Sequence, residues 1–234
     1  MIISNRAKSA CEILNDATLV SRFTFDNVIT DSGPNALSSS VTVQGNSGVS
    51  FVSGVVNQAL MLSLNNSYFQ SWNYHALGQV NRAYSFVLWI NPTVSQGTIL
   101  HLFADRTGAV IQWCLPMIGF SSNGEIVIQS WNGSAVSVVG PSIPIDTWTH
   151  IVHTWSSTNG LRLYVNGVLD ASTVMPNFSA SRLTTMSIFL GTSAYGTKCA
   201  TTGIVMGSYE GAIDEFYVYN RELSGAEICP LAQP

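Results

Sequence analysis

Charged side chains are scarce in this sequence of 234 residues, and their scarcity excludes several classes of protein. Asp, Glu, Lys and Arg make up 9% of it, against about 25% in average soluble domains. The nine Lys and Arg residues are scattered singly among 13 Asp and Glu, so the basic patch that nucleic acid needs is missing and we expect no nucleic-acid partner. Because 46% of the residues are apolar, an intrinsically disordered chain is excluded as well.

Long apolar runs and nucleophile motifs are also missing. Ser, Thr, Asn or Gly interrupts every apolar run within a few positions, whereas a transmembrane helix needs about 18 consecutive apolar residues; the sequence therefore predicts no transmembrane segment. The N-terminal residues lack the apolar region of a signal peptide, so we expect a mature segment or a fragment. Gly-x-Ser-x-Gly does not occur, so nucleophilic catalysis has no support in the sequence.

Four cysteines, Cys11, Cys114, Cys199 and Cys229, lie far apart, without the C-x-x-C spacing or the neighbouring His of a zinc site. This pattern predicts two disulfides. Of the three possible connectivities we favour Cys11 with Cys229, because the ends of compact domains often meet, and this leaves Cys114 with Cys199. The alternative is four free thiols in a reducing compartment.

Three N-x-S sequons place candidate glycosylation sites at Asn65, Asn132 and Asn177, each in a predicted exposed turn. Together with the even cysteine count, they favour an extracellular location. Glycans would solvate a surface that has few charges. The alternative explanation of that surface is burial against neighbouring subunits.

Short runs rich in Val, Ile, Phe, Tyr, Trp and Thr alternate in polarity, which is typical of an all-β chain. The predicted strands are 19–25, 59–64, 84–91, 98–103, 110–117, 125–131, 135–139, 147–156, 161–165, 186–191 and 211–219. Asn-Gly pairs beginning at Asn123, Asn132 and Asn166 predict hairpin turns. Helices are expected only at 5–14 and 224–228, the second with Ser224 as N-cap and Glu227 as its capping-box partner. Many short strands without alternating helices indicate a sandwich, jelly roll or barrel.

The beginning of the chain repeats a motif found near its end. Asn5, Arg6, Ser9, Glu12 and Ile13 match, in type and spacing, Asn220, Arg221, Ser224, Glu227 and Ile228. We predict that residues 1–17 are an N-terminal extension, either the tail of a preceding repeat or an assembly arm, with the five matching residues as its candidate joint. The alternative is coincidence in a short helix-prone segment.

Five sequence segments together point to a family. They are FTFD at 23–26 with DSGPN at 31–35, GVVNQAL at 54–60, YSFVLWINP at 84–92, WTHIV at 148–152 with GLRLYVNG at 160–167, and GAIDEFYVYNR at 211–221. In this order they resemble the laminin-G-like jelly rolls of the concanavalin A-like lectin and glucanase fold. The resemblance implies an all-β, two-sheet antiparallel jelly-roll sandwich over residues 18–229 with adjacent chain ends, followed by a C-terminal tail at 230–234. Adjacent ends fit the favoured bond between Cys11 and Cys229.

The fold that this chain resembles includes glucanases, which carry a Glu-x-Asp-x-Glu type strand. That pattern is absent here. Adjacent Asp214 and Glu215 are predicted to point to opposite faces, and Glu210 lies about 13 Å along the strand from Asp214, so neither pair has the carboxylate spacing of a hydrolase. We therefore expect that this protein is not an enzyme, and glycoside hydrolysis is the least supported of its possible functions. His150 and His153 are likewise predicted on opposite faces, as packing residues.

The opening loop is the candidate site for a structural calcium ion. Asp26, Asn27, Asp31, Ser32 and Asn35 bring oxygen ligands into ten residues, and calcium needs six to eight oxygens. The resemblance implies calcium between this loop and the closing strand, so the candidate ligands are Asp26, Asp31 and Asp214. The alternative is a turn held by Asx hydrogen bonds.

Aromatic side chains outside the regular strands are candidates for glycan binding. Trp72, Trp113, Trp131 and Tyr195 lie in turn-flanked segments, where an exposed ring would serve as a platform for a sugar. Packing is the alternative for each. Trp89, Trp148 and Trp155 lie within the segments that resemble family strands and are predicted in the core.

The sequence therefore predicts a non-catalytic extracellular module for recognition or adhesion, glycosylated and disulfide-bonded, with a glycan or an extracellular protein as its partner. The alternative is a structural glycoprotein subunit that self-assembles head to tail into a filament or array. Fold resemblance does not identify the ligand.

Overall fold

The strands of this protein follow the alternation of polarity in its sequence. The structure is a computed structural model that describes residues 7–43, 49–63, 67–104, 113–179, 185–193, 199 and 201–234, without the side chain of Cys11. Its α-helices and strands are α1 (Ala10–Thr18), β1 (Leu19–Phe23), β2 (Ser39–Thr42), β3 (Ser50–Ser53), β4 (Gln58–Leu62), β5 (Tyr68–Ser71), β6 (Tyr84–Pro92), β7 (Thr98–Ala104), β8 (Cys114–Phe120), β9 (Glu125–Trp131), β10 (Ala135–Ser142), β11 (Thr149–Ser156), β12 (Gly160–Val165), β13 (Val168–Thr173), β14 (Met186–Leu190), β15 (Gly211–Tyr219) and α2 (Gly225–Leu231), and a short 3-10 helix lies at Ala76–Gly78. None of the helices described there is long and apolar enough to cross a membrane.

The strands form two antiparallel sheets. The eight-stranded sheet has the order β13-β12-β11-β6-β15-β4-β3, with β1 paired to β15, and the seven-stranded sheet has the order β10-β9-β8-β7-β14-β5-β2. Strands β1 and β4 pair with different halves of β15, β1 from Phe216 to Tyr219 and β4 from Gly211 to Ile213. This is the two-sheet antiparallel jelly-roll sandwich that the sequence predicts.

The main core lies between the two sheets. In β6, Phe86, Leu88 and Ile90 belong to the main core cluster, whereas Val87 belongs to a second cluster on the other face of the sheet. Alternating side chains of a strand point to opposite faces. Each fully buried apolar side chain of this size stabilises the fold by about 1.5 to 3 kcal/mol.

Helix α2 covers part of the outer face of the eight-stranded sheet. It begins after Ser224, which forms the predicted capping box with Glu227. The outer-face cluster comprises Val87, Val152, Tyr164, Tyr219, Leu223 and Ile228, all buried. The closing motif of the chain therefore has a packing role, because it places Ile228 against the sheet.

Hairpin and helix bounds show where local signals suffice. Asn166 and Gly167 adopt φ angles of 49° and 81° in the turn between β12 and β13, as the Asn-Gly pair predicts. Helix α1 begins at Ala10 rather than at residue 5, because Ser9 is its N-cap and forms a capping box with Glu12. The sequence does not predict strands β2, β3, β5 and β13. The first three have four residues each, too few to show a clear alternation, and β13 is a largely exposed edge strand.

Cysteine pairing agrees with the sequence in one of two bonds. Cys114 and Cys199 form a disulfide with their Cα atoms 5.1 Å apart, the pairing that was favoured. Cys229 is a free, exposed cysteine, so the favoured bond with Cys11 is not formed in this structure. Segments from the two ends of the described chain do meet, through Arg221, whose guanidinium donates to Asn15 and Thr18 near the end of α1. Cys11 lies seven residues before Thr18, about 10 Å along the helix.

Candidate functional site

A bulge in β15 determines the arrangement of the outer face. Ile213 and Phe216 both belong to the main core, although a regular strand would place residues three apart on opposite faces. The register of β15 on β6 shifts between Asp214 and Tyr217, and Glu215 has a φ of 47°. Because of this bulge, Asp214 and Glu215 both lie off the main core, so the prediction that they point to opposite faces is wrong.

Glu215 lines a cavity of about 120 Å³ on the outer face of the eight-stranded sheet. The other strand residues around it are Val87, Trp89, His150 and Tyr217, from β6, β11 and β15. Pro230, Leu231 and Pro234 of the C-terminal segment also line it. We call this cavity the outer-face pocket.

Strand pairing places Trp89 and His150 side by side in the outer-face pocket. They are cross-strand partners in the register of β6 and β11, and their ring centroids are 5.0 Å apart. His153 lies on the other face, with its ring 5.3 Å from that of Tyr84 and 5.6 Å from that of Phe86. The predicted separation of the two histidines is confirmed, but His150 contributes to a pocket rather than only to packing.

Buried polar atoms in the outer-face pocket lack partners. Both ring nitrogens of His150 lack a hydrogen-bond partner among the described residues, and so does the Oε1 atom of Glu215. A buried polar group without a partner costs about 1 to 3 kcal/mol. Burial lowers the pKa of His150 to about 4, so at neutral pH the ring offers one donor and one acceptor.

Glu215 has one cation nearby. The Nη2 atom of Arg22 lies 3.7 Å from its Oε2 atom, and the guanidinium also sits 5.3 Å from the centre of the Tyr217 ring. Burial raises the pKa of Glu215 to about 7; the charge of Arg22 opposes this shift, and those of Asp214 and Asp26 add to it. Because Arg22 already partners this carboxylate, the pocket suits a neutral ligand better than a second cation.

The outer-face pocket thus combines aromatic rings with acceptors and a donor. Hydroxyl groups can donate and accept at once, so they match a neutral imidazole beside a carboxyl group. The apolar face of a sugar ring packs on aromatic side chains such as Trp89 and Tyr217. The lining of the pocket therefore places hydrogen-bonding groups beside aromatic surface.

The three carboxylates proposed for calcium are not gathered into one cluster. Asp31 accepts backbone N–H groups of Arg22, Gly33 and Leu37 at 2.7 to 2.8 Å, so it organises its loop in the way that the Asx-turn alternative describes. Within the described ranges, the one group of three metal-ligating side chains whose ligand atoms lie within 4.8 Å of one another is His101, Cys114 and Cys199. Asp31 therefore does not fit a calcium ion shared with the other two.

Asp26 and Asp214 remain neighbours. Asp214 accepts the N–H groups of Val55, Val56 and Glu215, and Asp26 accepts that of Gln58. Burial raises the pKa of Asp214 to about 6, and the charge of Asp26 adds to the shift. A cation near this pair would relieve the repulsion, so calcium binding stays a prediction that now rests on these two residues.

The predicted aromatic platforms are not assembled into one surface. Trp113 and Trp131 are partly buried against the main core, so packing accounts for them, and Trp72 is half-buried after β5. Tyr195 lies outside the described residues. Trp155 is fully buried in the core as predicted and Trp148 is half-buried, whereas Trp89 lines the outer-face pocket.

The candidate glycosylation and joint residues are largely at the surface. Asn132 and Asn177 are exposed, and Asn65 lies outside the described residues. Of the joint, Asn5 and Arg6 also lie outside them. Ser9 is exposed, Glu12 is half-buried and Ile13 is 56% exposed.

The sequence does not predict the outer-face pocket, although one local feature indicates the bulge beside it. In Ile213-Asp214-Glu215-Phe216 two acidic residues separate two apolar ones, which breaks the alternation of a strand and indicates a bulge. The neighbours of that bulge come from β6 and β11, and their register cannot be read from a single segment.

Comparison with known proteins identifies the family. A model of the concanavalin A-like lectin/glucanases superfamily, laminin G-like, matches residues 64–229. The chain belongs to this family. This laminin G-like chain is 31% identical to adhesion G-protein coupled receptor D1 of Homo sapiens over 125 residues, which is 52% of the chain and 13% of the receptor.

Solved structures show the same fold at low identity. Domain 4 of an extracellular family GH43 arabinanase from Geobacillus stearothermophilus, in complex with arabinotriose, has a TM-score of 0.61 at 19% identity and covers 92% of this chain and 98% of that domain. The binding domain of botulinum neurotoxin DC, in complex with SialylT, has a TM-score of 0.60 at 18% identity and covers 94% of this chain and 52% of that domain. At these identities the likeness concerns the fold alone.

Proposed function

We propose that this laminin G-like chain is an extracellular, non-catalytic recognition module that binds a glycan in the outer-face pocket. One observation carries the proposal: unpartnered buried polar atoms of His150 and Glu215 lie beside the rings of Trp89 and Tyr217. A neutral sugar supplies hydroxyl groups for the polar atoms and an apolar face for the rings. The pocket is smaller than a drug-sized site, so it accepts one terminal sugar of a larger glycan.

Other features support the location and the class of function. The Cys114–Cys199 disulfide is typical of oxidising compartments, and Asn132 and Asn177 are exposed sequon residues. An adhesion receptor shares sequence with the chain, and the arabinanase domain of the same fold was solved with arabinotriose. The sequence shared with an adhesion receptor favours recognition.

A glycan array tests the proposal, using protein secreted from eukaryotic cells. His150→Phe keeps an aromatic ring but removes both nitrogens, so the affinity for the glycan that binds best should fall at least about tenfold, since 1.4 kcal/mol corresponds to a factor of ten. Glu125→Gln in β9 of the other sheet is the control, and it should bind like the parent protein. If no glycan is retained, or if His150→Phe binds as tightly as the parent, the proposal is wrong.

A second function, self-assembly, is favoured by the exposed apolar side chains of α1. Ile13 aligns with the buried Ile228 of α2, yet it is 56% exposed, and its neighbour Leu14 is 47% exposed. We propose as the alternative a structural subunit in which this side of α1 contacts another copy. Light scattering and electron microscopy should then show ordered polymers without ligand, and Ile13→Asp should abolish them. A stable monomer would contradict this alternative and leave the recognition proposal in place.

A further inference from the structure

The disulfide has a histidine beside it. The Nε2 atom of His101, in β7, lies 3.4 Å from the Sγ atom of Cys199. The Sγ atoms of Cys114 and Cys199 and a ring nitrogen of His101 all lie within 4.8 Å of one another. His101 is buried, and the neutral form of its ring is the form that binds metal ions.

The spacing of these atoms is close to that of a zinc site. With Zn–S bonds of about 2.3 Å and Zn–N bonds of about 2.0 Å at tetrahedral angles, a sulfur and a nitrogen ligand lie about 3.5 Å apart and two sulfurs about 3.8 Å apart. The separation of His101 from Cys199 already matches. Once the bond between the sulfurs is broken, side-chain rotation can bring them to their ligand distance, because the Cα atoms are only 5.1 Å apart.

We propose that His101, Cys114 and Cys199 form a Zn²⁺ site when the disulfide is reduced. A trialkylphosphine and one water supply the two electrons and two protons that convert the disulfide to two thiols, and the phosphine leaves as its oxide. Zn²⁺ then binds both sulfurs as thiolates and releases two protons. The ion and the bond are thus alternative cross-links between the start of β8 and Cys199, with water as the fourth zinc ligand.

The site depends on neighbours that are distant in sequence. His101 and Cys114 lie on the adjacent strands β7 and β8, whose register pairs Phe103 with Cys114. Cys199 is 85 residues further along the chain. No ligand spacing in the sequence indicates such a site, and the glycan proposal does not use it, because the outer-face pocket lies on the other sheet.

Cobalt titration tests this inference on the 234-residue chain with Cys11→Ser and Cys229→Ser, in which Cys114 and Cys199 are the only cysteines. The chain is reduced with the phosphine, freed of it under anaerobic conditions and titrated with Co²⁺. We expect one ion per chain, a thiolate-to-cobalt charge-transfer band and the intense visible bands of tetrahedral Co²⁺. Zn²⁺ should displace the Co²⁺ and raise the melting temperature of the reduced chain, whereas the oxidised chain should bind neither ion.

Two variants separate a built site from thiols that bind metal on their own. The affinity of His101→Gln for Co²⁺ should be at least about tenfold lower than that of the parent. Mutating a residue that only hydrogen-bonds to a metal ligand already lowers metal affinity by about 10- to 100-fold. Circular dichroism of the oxidised variant verifies its fold, and reduced Cys114→Ser, with one thiol left, should lose the tetrahedral spectrum. The inference is overturned if the reduced parent binds no more tightly than the oxidised one, or if His101→Gln binds as tightly as the parent.

Discussion

Glu215 combines a left-handed backbone with a buried carboxyl group. Its φ of 47° is strained for a residue with a side chain, and such strain persists where the surrounding structure enforces it. Here the enforcing contacts are the core positions of Ile213 and Phe216 on either side and the N–H group of Glu215, which donates to Asp214 at 2.8 Å. The strained bulge places a carboxyl oxygen of Glu215 in the outer-face pocket.

Protonation of Glu215 predicts a pH-dependent effect of Glu215→Gln. The pKa of this carboxyl is raised from 4.5 to about 7, so the folded chain holds a proton that the unfolded chain releases above about pH 4.5. The stability that it contributes is present at pH 4.5 and is lost as the pH rises through 7. Glu215→Gln should therefore match the parent near pH 4.5 and exceed it above pH 8, by about 1 to 3 kcal/mol in the free energy of unfolding.

Urea unfolding at several pH values measures the effect of Glu215→Gln. The control is Glu125→Gln, because that carboxyl lies at the start of β9 in the other sheet, where it accepts the hydroxyl of Ser121. A difference between Glu215→Gln and the parent that does not change with pH would show that Glu215 is ionised throughout this range.

Substitutions at Asp31 and Asp26 should respond differently to calcium. Asp31 accepts three backbone N–H groups, so Asp31→Asn should destabilise the fold by about 1 to 3 kcal/mol, equally in calcium and in chelator. Calcium should raise the melting temperature of the parent by mass action, and Asp26→Asn should remove that increase. A melting temperature of the parent that is the same in chelator and in millimolar calcium would contradict the calcium prediction.

At the scale of elements, the two helices show how one motif acquires two environments. Both begin with a capping box, Ser9 with Glu12 in α1 and Ser224 with Glu227 in α2. Only α2 lies on the outer face of the eight-stranded sheet, where Ile228 is fully buried. The shared motif therefore determines how the helix starts, and the sheet beneath determines what its apolar residue does.

Matched substitutions in the helices measure this difference. Ile228→Ala should lower the free energy of unfolding by about 2 to 5 kcal/mol, because it leaves a cavity in a buried cluster. Ile13→Ala, at the aligned and exposed position, should change it by no more than about 0.5 kcal/mol. Ile228→Ala should also weaken glycan binding, since α2 carries Pro230 and Leu231 at the outer-face pocket. A comparable loss of stability in both variants would show that α1 is packed against the fold in solution.

Elements could be predicted where their signal is local. Strands β9 and β15 have the predicted bounds, because each is a run of seven or more residues that includes several β-branched or aromatic residues. The capping box of α2 depends on residues three apart and was predicted as well. Strand β13, which is largely exposed, and the outer-face pocket depend on which strands become neighbours, and that information lies in contacts between distant segments.

At the scale of the whole molecule, the described part of the chain has one covalent cross-link. Cys114 and Cys199 are 85 residues apart in sequence, and the loop between them includes β9 to β14. Closing a loop of this length removes conformational entropy from the unfolded chain worth about 4 to 5 kcal/mol. With few charges at the surface, the fold depends on its core and on this bond more than on ion pairs, which contribute about 0 to 1 kcal/mol each when exposed.

Removing the disulfide should therefore make the whole domain less stable without changing its fold. Cys114→Ser with Cys199→Ser should lower the free energy of unfolding by about 2 to 5 kcal/mol, measured by urea unfolding with the circular dichroism spectrum unchanged. Cys229→Ser is the matched control, because that cysteine is free and exposed, and it should have no effect. If Cys229→Ser destabilises the secreted protein as much as the double variant, then Cys229 forms a bond in solution, and the pairing with Cys11 becomes its explanation. If neither variant has an effect, the entropy of this loop is already restricted in the unfolded chain, and the core alone maintains the sandwich.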